Sequence, residues 1–382
     1  MKPVARPRTI MFFLQDLGAG GAERMILALA RAHCERGWRT LICVSRFTGE
    51  LRAQLPPGVM LVDLGCAKVS LAVPALARAV RRYRPHVLVS TLIQANLVAC
   101  LARAWSPGPR LVLREASNPD LGITVVGGLM RLAYQLLPTV YRRADRILAV
   151  SEGVGGALVR RGVPPGLVTS VPNPTLSVQH DRTRAGDPCA HPWFAAGQPP
   201  VILAVGRLSQ EKNQADLVRA FATLAPTRAC RLVLLGSGAD RSRLEQLVAA
   251  LGLNDRVAFA GHVDDTVPYL WRAAVVTLTS QWEGCPNALI EALACDAPVV
   301  SYDCDYGPRE ILADGRFGRL VPVGDVGALA AALAAALDEG RRDDPARRAH
   351  LARYAYQRGV RAYQLEILRT LRGRRVALAA AL

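Results

Sequence analysis

Two successive series of short apolar runs, each run followed by a helical pattern, constrain this 382-residue chain more than any other feature. The first series comprises Thr9–Leu14, Thr40–Val44, Val59–Asp63, His86–Ser90, Arg110–Leu113 and Arg146–Val150. The second comprises Val201–Val205, Arg231–Leu235, Arg256–Phe259, Val275–Leu278, Ala297–Ser301 and Gly318–Val321. Strands that are apolar throughout and alternate with helices belong to parallel sheets covered on both faces, which is α/β architecture. Between the series, residues 172–199 are rich in proline (Pro172, Pro174, Pro188, Pro192, Pro199) and polar in between, which reads as a linker. The expected organisation is therefore a domain over 1–175, a linker over 176–199, a second domain over 200–345 and a C-terminal helical segment over 346–382. One continuous helix is expected from about Pro345 to Leu371. Open parallel sheets bind ligands at the carboxyl ends of their strands.

Composition narrows the class. With 51% hydrophobic and 21% charged residues the chain is globular. Its nine cysteines form no CxxC pair, so neither a disulfide framework nor a zinc site is expected, and a reducing cytosol is. No secretory signal is read, because Ile10–Leu14 is too short an apolar core and runs into glycines. No run of about 18 apolar residues exists to cross a membrane. The most apolar stretch, Val326–Leu337, repeats Val326, Leu329, Leu333 and Leu337 at helical spacing behind Asp325, which marks a packed, capped helix. The net charge of +17 is uneven: residues 1–195 hold 25 Lys and Arg against 11 Asp and Glu, and residues 196–382 hold 23 against 20. Nucleic acid, an anionic membrane and an anionic substrate all fit a basic surface. The scattered charge matches no nucleic-acid-binding motif, so no nucleic-acid partner is expected.

Several loops carry residues suited to chemistry. Gly18-Ala-Gly20-Gly21-Ala-Glu23-Arg24 follows the first strand and opens a helix, where glycines let backbone approach a phosphate at the positive helix end. A tight turn without ligand fits the same residues, and position 23 lacks the third glycine of a dinucleotide fingerprint. Arg207 and Lys212 lie five residues apart just past a strand, where two cations can clamp a diphosphate or stand solvated. Lys212 is one of three lysines beside 45 arginines, which singles out its compact ammonium. Glu283 and Glu291 bracket Gly284-Cys285-Pro286-Asn287-Ala288-Leu289-Ile290. Their spacing puts one carboxylate on a loop, one on a helix, and backbone N–H groups between. An acidic first helical turn held by the helix dipole is the plainer explanation of the pair. Gly236-Ser237-Gly238 adds a flexible turn, and His262 beside Val263 can border a base or simply sit at the surface.

Together these segments resemble family 4 retaining glycosyltransferases of the GT-B fold. The matching stretches are Gly20–Arg24, Val150–Glu152, Pro172–Pro174, Gly206–Asn213, Leu235–Gly238, Phe259–Val263, Glu283–Glu291 and Gly315–Pro322, in the family's order. The resemblance implies two Rossmann-like, doubly wound domains facing each other across a cleft, the first binding acceptor and the second a nucleotide-sugar. It implies that Arg207 and Lys212 bind the donor diphosphate and that Glu283 contacts the donor sugar. Glu291 would hold the ribose, and the backbone of Gly284, Cys285, Pro286, Asn287 and Ala288 the sugar and phosphate. Gly20 and Gly21 would face the diphosphate, with Gly236, His262 and Val263 also on the donor side. Fixed cations at the leaving group imply no metal and no cofactor. Many relatives carry a His after the fourth or fifth strand of the first domain. Here Leu113-Arg114-Glu115-Ala116-Ser117-Asn118-Pro119 has none, leaving Glu115 and Asn118 as acceptor-side candidates.

The expected activity is transfer of a sugar from a nucleoside-diphosphate donor, UDP-linked by expectation, to a glycan or polyprenyl-diphosphate-linked glycan. Leu129–Arg143 mixes apolar and aromatic residues with arginine, and Arg78, Arg81, Arg82 and Arg84 form a second basic cluster. These point to a peripheral protein on the cytoplasmic face of an anionic membrane. The competing expectations are a soluble sucrose- or glycogen-type transferase and a non-catalytic nucleotide-binding module.

Overall fold

The computed structural model describes residues 7–18, 20–120, 128–177 and 180–379. They form two compact units. One runs to Asn173 and resumes at Gln357; the other is the continuous stretch Pro174–Tyr356.

The first unit is a seven-stranded parallel sheet in the order β3-β2-β1-β4-β5-β6-β7. Its strands are β1 (Thr9–Leu14), β2 (Arg39–Val44), β3 (Met60–Asp63), β4 (Val87–Thr91), β5 (Arg110–Glu115), β6 (Arg146–Ala149) and β7 (Val168–Ser170). All six residues of β1 are buried between β2, which pairs Ile10 with Thr40, and β4, which pairs Ile10 with Val87. A central strand has no solvated face, which is why its sequence is unbroken hydrophobe. The helix Tyr356–Ala379 completes this unit from Gln357 onward. Its Tyr363 hydroxyl accepts from Arg114 Nε at 3.1 Å, and its Glu366 pairs with Arg146 at 3.1 Å.

The second unit has six parallel strands in the order β10-β9-β8-β11-β12-β13. These are β8 (Val201–Val205), β9 (Arg231–Leu235), β10 (Val257–Gly261), β11 (Val275–Leu278), β12 (Val299–Tyr302) and β13 (Arg319–Val321). Alternation within the strands sorts the core into two layers. Ile202, Ala204, Leu232 and Leu234 pack with Leu217, Phe221, Leu329 and Leu333 of the helices Gln214–Leu224 and Val326–Glu339. Leu203, Val233 and Val276 point the other way, onto Leu270, Leu289 and Leu293. Asp325 caps the alanine-leucine helix by accepting from Ala328 N at 2.8 Å.

Two expectations differ from the structure. The stretch 176–199 is not a free linker but folds against the second unit. Phe194 is buried in its core, Arg184 bonds Asp187 and Asp265, and Arg182 pairs with Asp296. The helix expected over 345–371 is two helices, Pro345–Leu351 and Tyr356–Ala379. Between them the Tyr354 carbonyl accepts from Thr175 N and Leu176 N, and Tyr356 N donates to Leu176 O at 2.6 Å. Backbone groups spent on a neighbouring segment cannot continue an i to i−4 ladder. Of the apolar-basic stretch 129–143, Tyr134, Leu137 and Tyr141 are buried while Arg131, Leu132 and Leu136 are exposed. The side chains at 129, 130 and 133 lie outside the described residues.

Candidate functional site

In the second sheet the chain leaves β8 toward β9 but leaves β11 toward β12. Loops that part in this way open a crevice at the carboxyl ends of β8 and β11. The residues collected there come from three loops.

The loop after β8 carries Arg207 to Lys212, ending in a short 3₁₀ turn over Gln210–Lys212. Asn213 then takes a left-handed conformation, φ 49°, and starts the helix Gln214–Leu224. Asp216 in the first turn of that helix steadies it: its Oδ2 accepts from Asn213 Nδ2 at 2.6 Å and from the Tyr302 hydroxyl at 3.2 Å. The loop after β11 carries Thr279, Ser280 and Glu283. The Thr279 hydroxyl donates to Lys212 O at 2.9 Å, and Gln281 N donates to Glu211 O at 2.8 Å, tying the two loops together. The third loop, after β12, holds Glu283 on both sides. Glu283 N donates to Asp305 O at 2.8 Å, and Tyr306 N donates to Glu283 O at 2.9 Å.

The side chains converge on one oxygen. Lys212 Nζ and Ser280 Oγ both donate to Glu283 Oε1, each at 2.6 Å. Glu283 is 9% exposed and the Lys212 side chain 21%, so the pair sits in a low dielectric without being sealed. No protein group among the described residues bonds Glu283 Oε2, which leaves one carboxylate oxygen to accept from a ligand hydroxyl. Beneath, Cys304 is 6% exposed, and its thiol is pushed up by burial and by the nearby Glu283 charge. Arg207 stands on the same loop, 66% exposed, with Nη2 donating to Glu211 at 2.9 Å. Its backbone is fixed by Gln214 Nε2, which donates to Arg207 O at 2.8 Å. An exposed guanidinium on an anchored backbone can exchange this partner for a phosphate.

The Gly284–Ala288 segment leads into the helix Asn287–Ala294. Its close neighbour is Gly307 at φ 103°, where a Cβ would lie 2.6 Å from Pro286 Cδ. Glu291 lies in the second turn of this helix, half-buried. Gly236 has a structural explanation: at φ 143° a Cβ would lie 2.0 Å from Gly206 O, so two loop backbones are pressed together there. His262 and Val263 follow β10, the edge strand two places from β8. The His262 ring is 38% exposed, 3.8 Å from Asp264. Gly20 and Gly21 lie in the first unit, where Gly20 precedes the helix Gly21–Glu35 and the Glu23 carboxylate folds back over it.

Glu115 is not a surface group able to meet an acceptor directly. It is fully buried at the end of β5, with Tyr141 donating to Oε2 at 2.6 Å and Ser117 Oγ to Oε1 at 3.0 Å. Asn96 Nδ2 approaches the same Oε2 at 3.4 Å. Burial raises this carboxyl against the lowering effect of those bonds. Its neighbour Arg114, 1% exposed, donates to Thr91 at 3.1 Å, Asn173 at 2.7 Å and Tyr363. Asn118 is 6% exposed, and its side chain accepts from Asp120 N at 2.8 Å in a local turn. Sequence reasoning missed Ser280 and the Asp305–Gly307 loop. The signal available for Ser280 was its place three residues before an acid at a strand exit. Among the described residues no group of three His, Cys, Asp or Glu side chains is placed to hold a metal ion.

Comparison with known proteins agrees with this layout. Residues 20–174 match the family described as glycosyl transferase 4-like domain, and residues 191–358 match glycosyl transferases group 1. The lipopolysaccharide core biosynthesis glycosyltransferase LpsE of Rhizobium meliloti is 36% identical over 321 residues, 82% of this chain and 84% of that protein. In Campylobacter jejuni, the N-acetylgalactosamine-N,N'-diacetylbacillosaminyl-diphospho-undecaprenol 4-alpha-N-acetylgalactosaminyltransferase is 28% identical, covering 88% of this chain and 91% of its own length. Among solved structures, the lipopolysaccharide outer core galactosyltransferase WaaB superposes with a TM-score of 0.71 at 20% identity, covering 94% of this chain and 99% of its own. The Anabaena HepE complex with UDP-glucose gives 0.71 at 20% identity, covering 96% and 99%. At that identity the structures speak for the fold, and the two matched domains with the Rhizobium relative speak for kinship: the chain belongs to the family 4 glycosyltransferases, enzymes of the GT-B fold.

Proposed function

We propose that this glycosyltransferase moves a sugar from a UDP-linked donor to a glycan carried on a polyprenyl diphosphate, with retention of anomeric configuration. The observation that carries the reading is the convergence of Lys212 and Ser280 on one oxygen of Glu283, beside Arg207, at the β8/β11 switch point. Lys212 and Arg207 take the donor diphosphate and offset charge on the departing nucleoside diphosphate, so no metal is assigned to that task. Glu283 Oε2 accepts from a hydroxyl of the donor sugar, Glu291 holds the ribose, and the backbone of Gly284–Ala288 seats the sugar and phosphate. The acceptor attacks on the side the leaving group departs from.

The choice of UDP is supported by the UDP-glucose named in the HepE complex, and the lipid-linked acceptor by the undecaprenol named in the Campylobacter relative. A peripheral position on the inner membrane face is supported by the charge of the first 195 residues and by exposed Leu101, Trp105, Leu132 and Leu136. Among the described residues no helix is long and apolar enough to cross a membrane. Thermal shift against UDP, GDP and ADP sugars tests the donor, since a ligand specific to the native state raises the melting point. A larger shift with a GDP or ADP sugar than with any UDP sugar refutes the UDP assignment. Proton NMR of the first-formed product decides retention, and activity after EDTA treatment decides metal dependence. Salt-sensitive sedimentation with phosphatidylglycerol vesicles is expected, and its absence ends the membrane assignment.

A further inference from the structure

A second concave site lies in the first unit. It is a cavity of about 510 Å³ lined by Arg36, Arg358, Arg361, Gln364, Leu365 and Leu368, with Gln357 at its edge. No carboxylate lines it, and none of its three arginines has an ion-pair partner among the described residues. Arg36 ends the helix Gly21–Glu35, where a cation suits the negative end of the helix dipole. Arg358 and Arg361 are placed the opposite way. They occupy the first two turns of the helix Tyr356–Ala379, whose opening turn has no acid, so they add positive charge to a positive end. All three are exposed, so their mutual repulsion is weakened by water and salt, and an anion shared between them relieves what remains.

Gln364, beside these cations, has bonding capacity left over. It lines the cavity at 6% exposure, yet its Oε1 has no partner, and its Nε2 makes one long contact, 3.5 Å to Ala32 O. Buried amides are ordinarily satisfied at both ends. The Gln364 Oε1 is shielded from solvent, so the amide meets a ligand by turning toward the cavity, where a phosphate monoester or a protonated diphosphate offers an oxygen for the N–H and a P–OH for Oε1. Planar guanidinium groups suit phosphate oxygens two at a time. Leu365, 44% exposed, and Leu368 give the same cavity an apolar lip.

We infer that this cavity is a phosphate-binding site separate from the Lys212–Glu283 centre, recognising a phosphoryl group either free or at the head of an anionic lipid. The inference is independent of the donor and acceptor assigned above. Two sources share the chemistry, and two arms separate them. In the first, inorganic pyrophosphate is titrated by calorimetry into the full chain carrying Lys212→Ala, which removes the cation most able to compete for it. Binding is expected to persist there and to weaken about a hundredfold when Arg358→Ala and Arg361→Ala are added, at about tenfold per charge-assisted contact. Gln364→Leu, which keeps the buried shape, is expected to weaken it about tenfold without lowering the melting point. In the second arm, sedimentation uses phosphatidylcholine vesicles with and without phosphatidic acid. Binding that needs phosphatidic acid and both arginines assigns the site to a lipid headgroup. Binding of pyrophosphate alone assigns it to a free phosphate. If Arg358→Ala with Arg361→Ala changes neither pyrophosphate nor vesicle binding, the site does not exist.

Discussion

The two units bury polar groups at comparable places, the carboxyl ends of their strands, and finish them differently. In the first, Arg114 and Glu115 end β5 in a closed network: Thr91, Asn173 and Tyr363 take the guanidinium, and Tyr141, Ser117 and Asn96 take the carboxylate. In the second, Lys212 and Ser280 hold one oxygen of Glu283 and leave the other unbonded, with Arg207 two-thirds exposed beside it. A saturated network rigidifies, whereas a partly used one has bonding capacity left for a ligand. Sequence alone does not show which of the two is saturated, since both are charged residues at strand ends.

The sharpest way to break this contrast is to remove Lys212 or Glu283. Lys212→Ala or Glu283→Gln is expected to lower sugar transfer by about a thousandfold, the scale of losing a preorganised electrostatic contact. The melting point should move by no more than a few degrees. Transfer within tenfold of the parent would deny the cluster its role. The mirror experiment is Arg114→Ala, which strands three buried oxygen acceptors and opens a void. A stability loss of about 3 kcal/mol is expected from denaturant titration, with activity per folded molecule kept. Loss of activity without loss of stability would instead make the closed network functional.

Acid sharpens the contrast next, through His33 of the first unit. His33 is 1% exposed, its Nδ1 lies 2.8 Å from Leu29 O, and burial lowers it to about 4. The unfolded chain takes that proton below about pH 6.5 and the folded chain resists it. Stability is therefore full above that pH and falls toward pH 4, by about 3 kcal/mol in all. Glu115 works in the other direction, because a raised carboxyl is relieved as pH falls. Melting points measured from pH 7 to pH 4 should drop less steeply in His33→Leu than in the parent. An identical slope would remove His33 from the account. The smallest effect is expected from Ser280→Ala, which leaves Glu283 to Lys212 alone. It should reduce kcat/KM about five- to tenfold, the worth of one hydrogen bond, with Ser280→Thr retaining more of the activity than the alanine variant.

Most of the strands were legible because a buried parallel strand has to be apolar along its whole length, and Thr9–Leu14, Val201–Val205, Arg231–Leu235 and Val275–Leu278 are found as read. β7 was missed: its three residues are half-buried at the sheet edge and show no apolar run. The break at 352–355 carries neither Gly nor Pro, and its cause lies in Thr175 and Leu176, far away in sequence. Prolines in 172–199 mimic a linker because Pro also opens 3₁₀ turns, as at Pro192–Phe194. In the site, Lys212 and Glu283 stood out by residue type and context, and the structure brings them to 2.6 Å. Ser280 did not, since a lone serine is common in loops. The burial of Glu115 was invisible because its partners Asn96 and Tyr141 are 19 and 26 residues away.

The division of the chain at Asn173 and Gln357 also sets an order of assembly. The second unit is continuous, so every residue it needs has been synthesised before the last helix of the first unit is made. The first unit must wait, with Arg114 exposed to water until Tyr363 arrives 249 residues later. A long loop closed late is a slow step and leaves an incomplete sheet exposed in the meantime. During synthesis, then, the half of the enzyme that begins first is the half that finishes last, and a chain stopped at Tyr356 would hold a complete second unit beside an unfinished first.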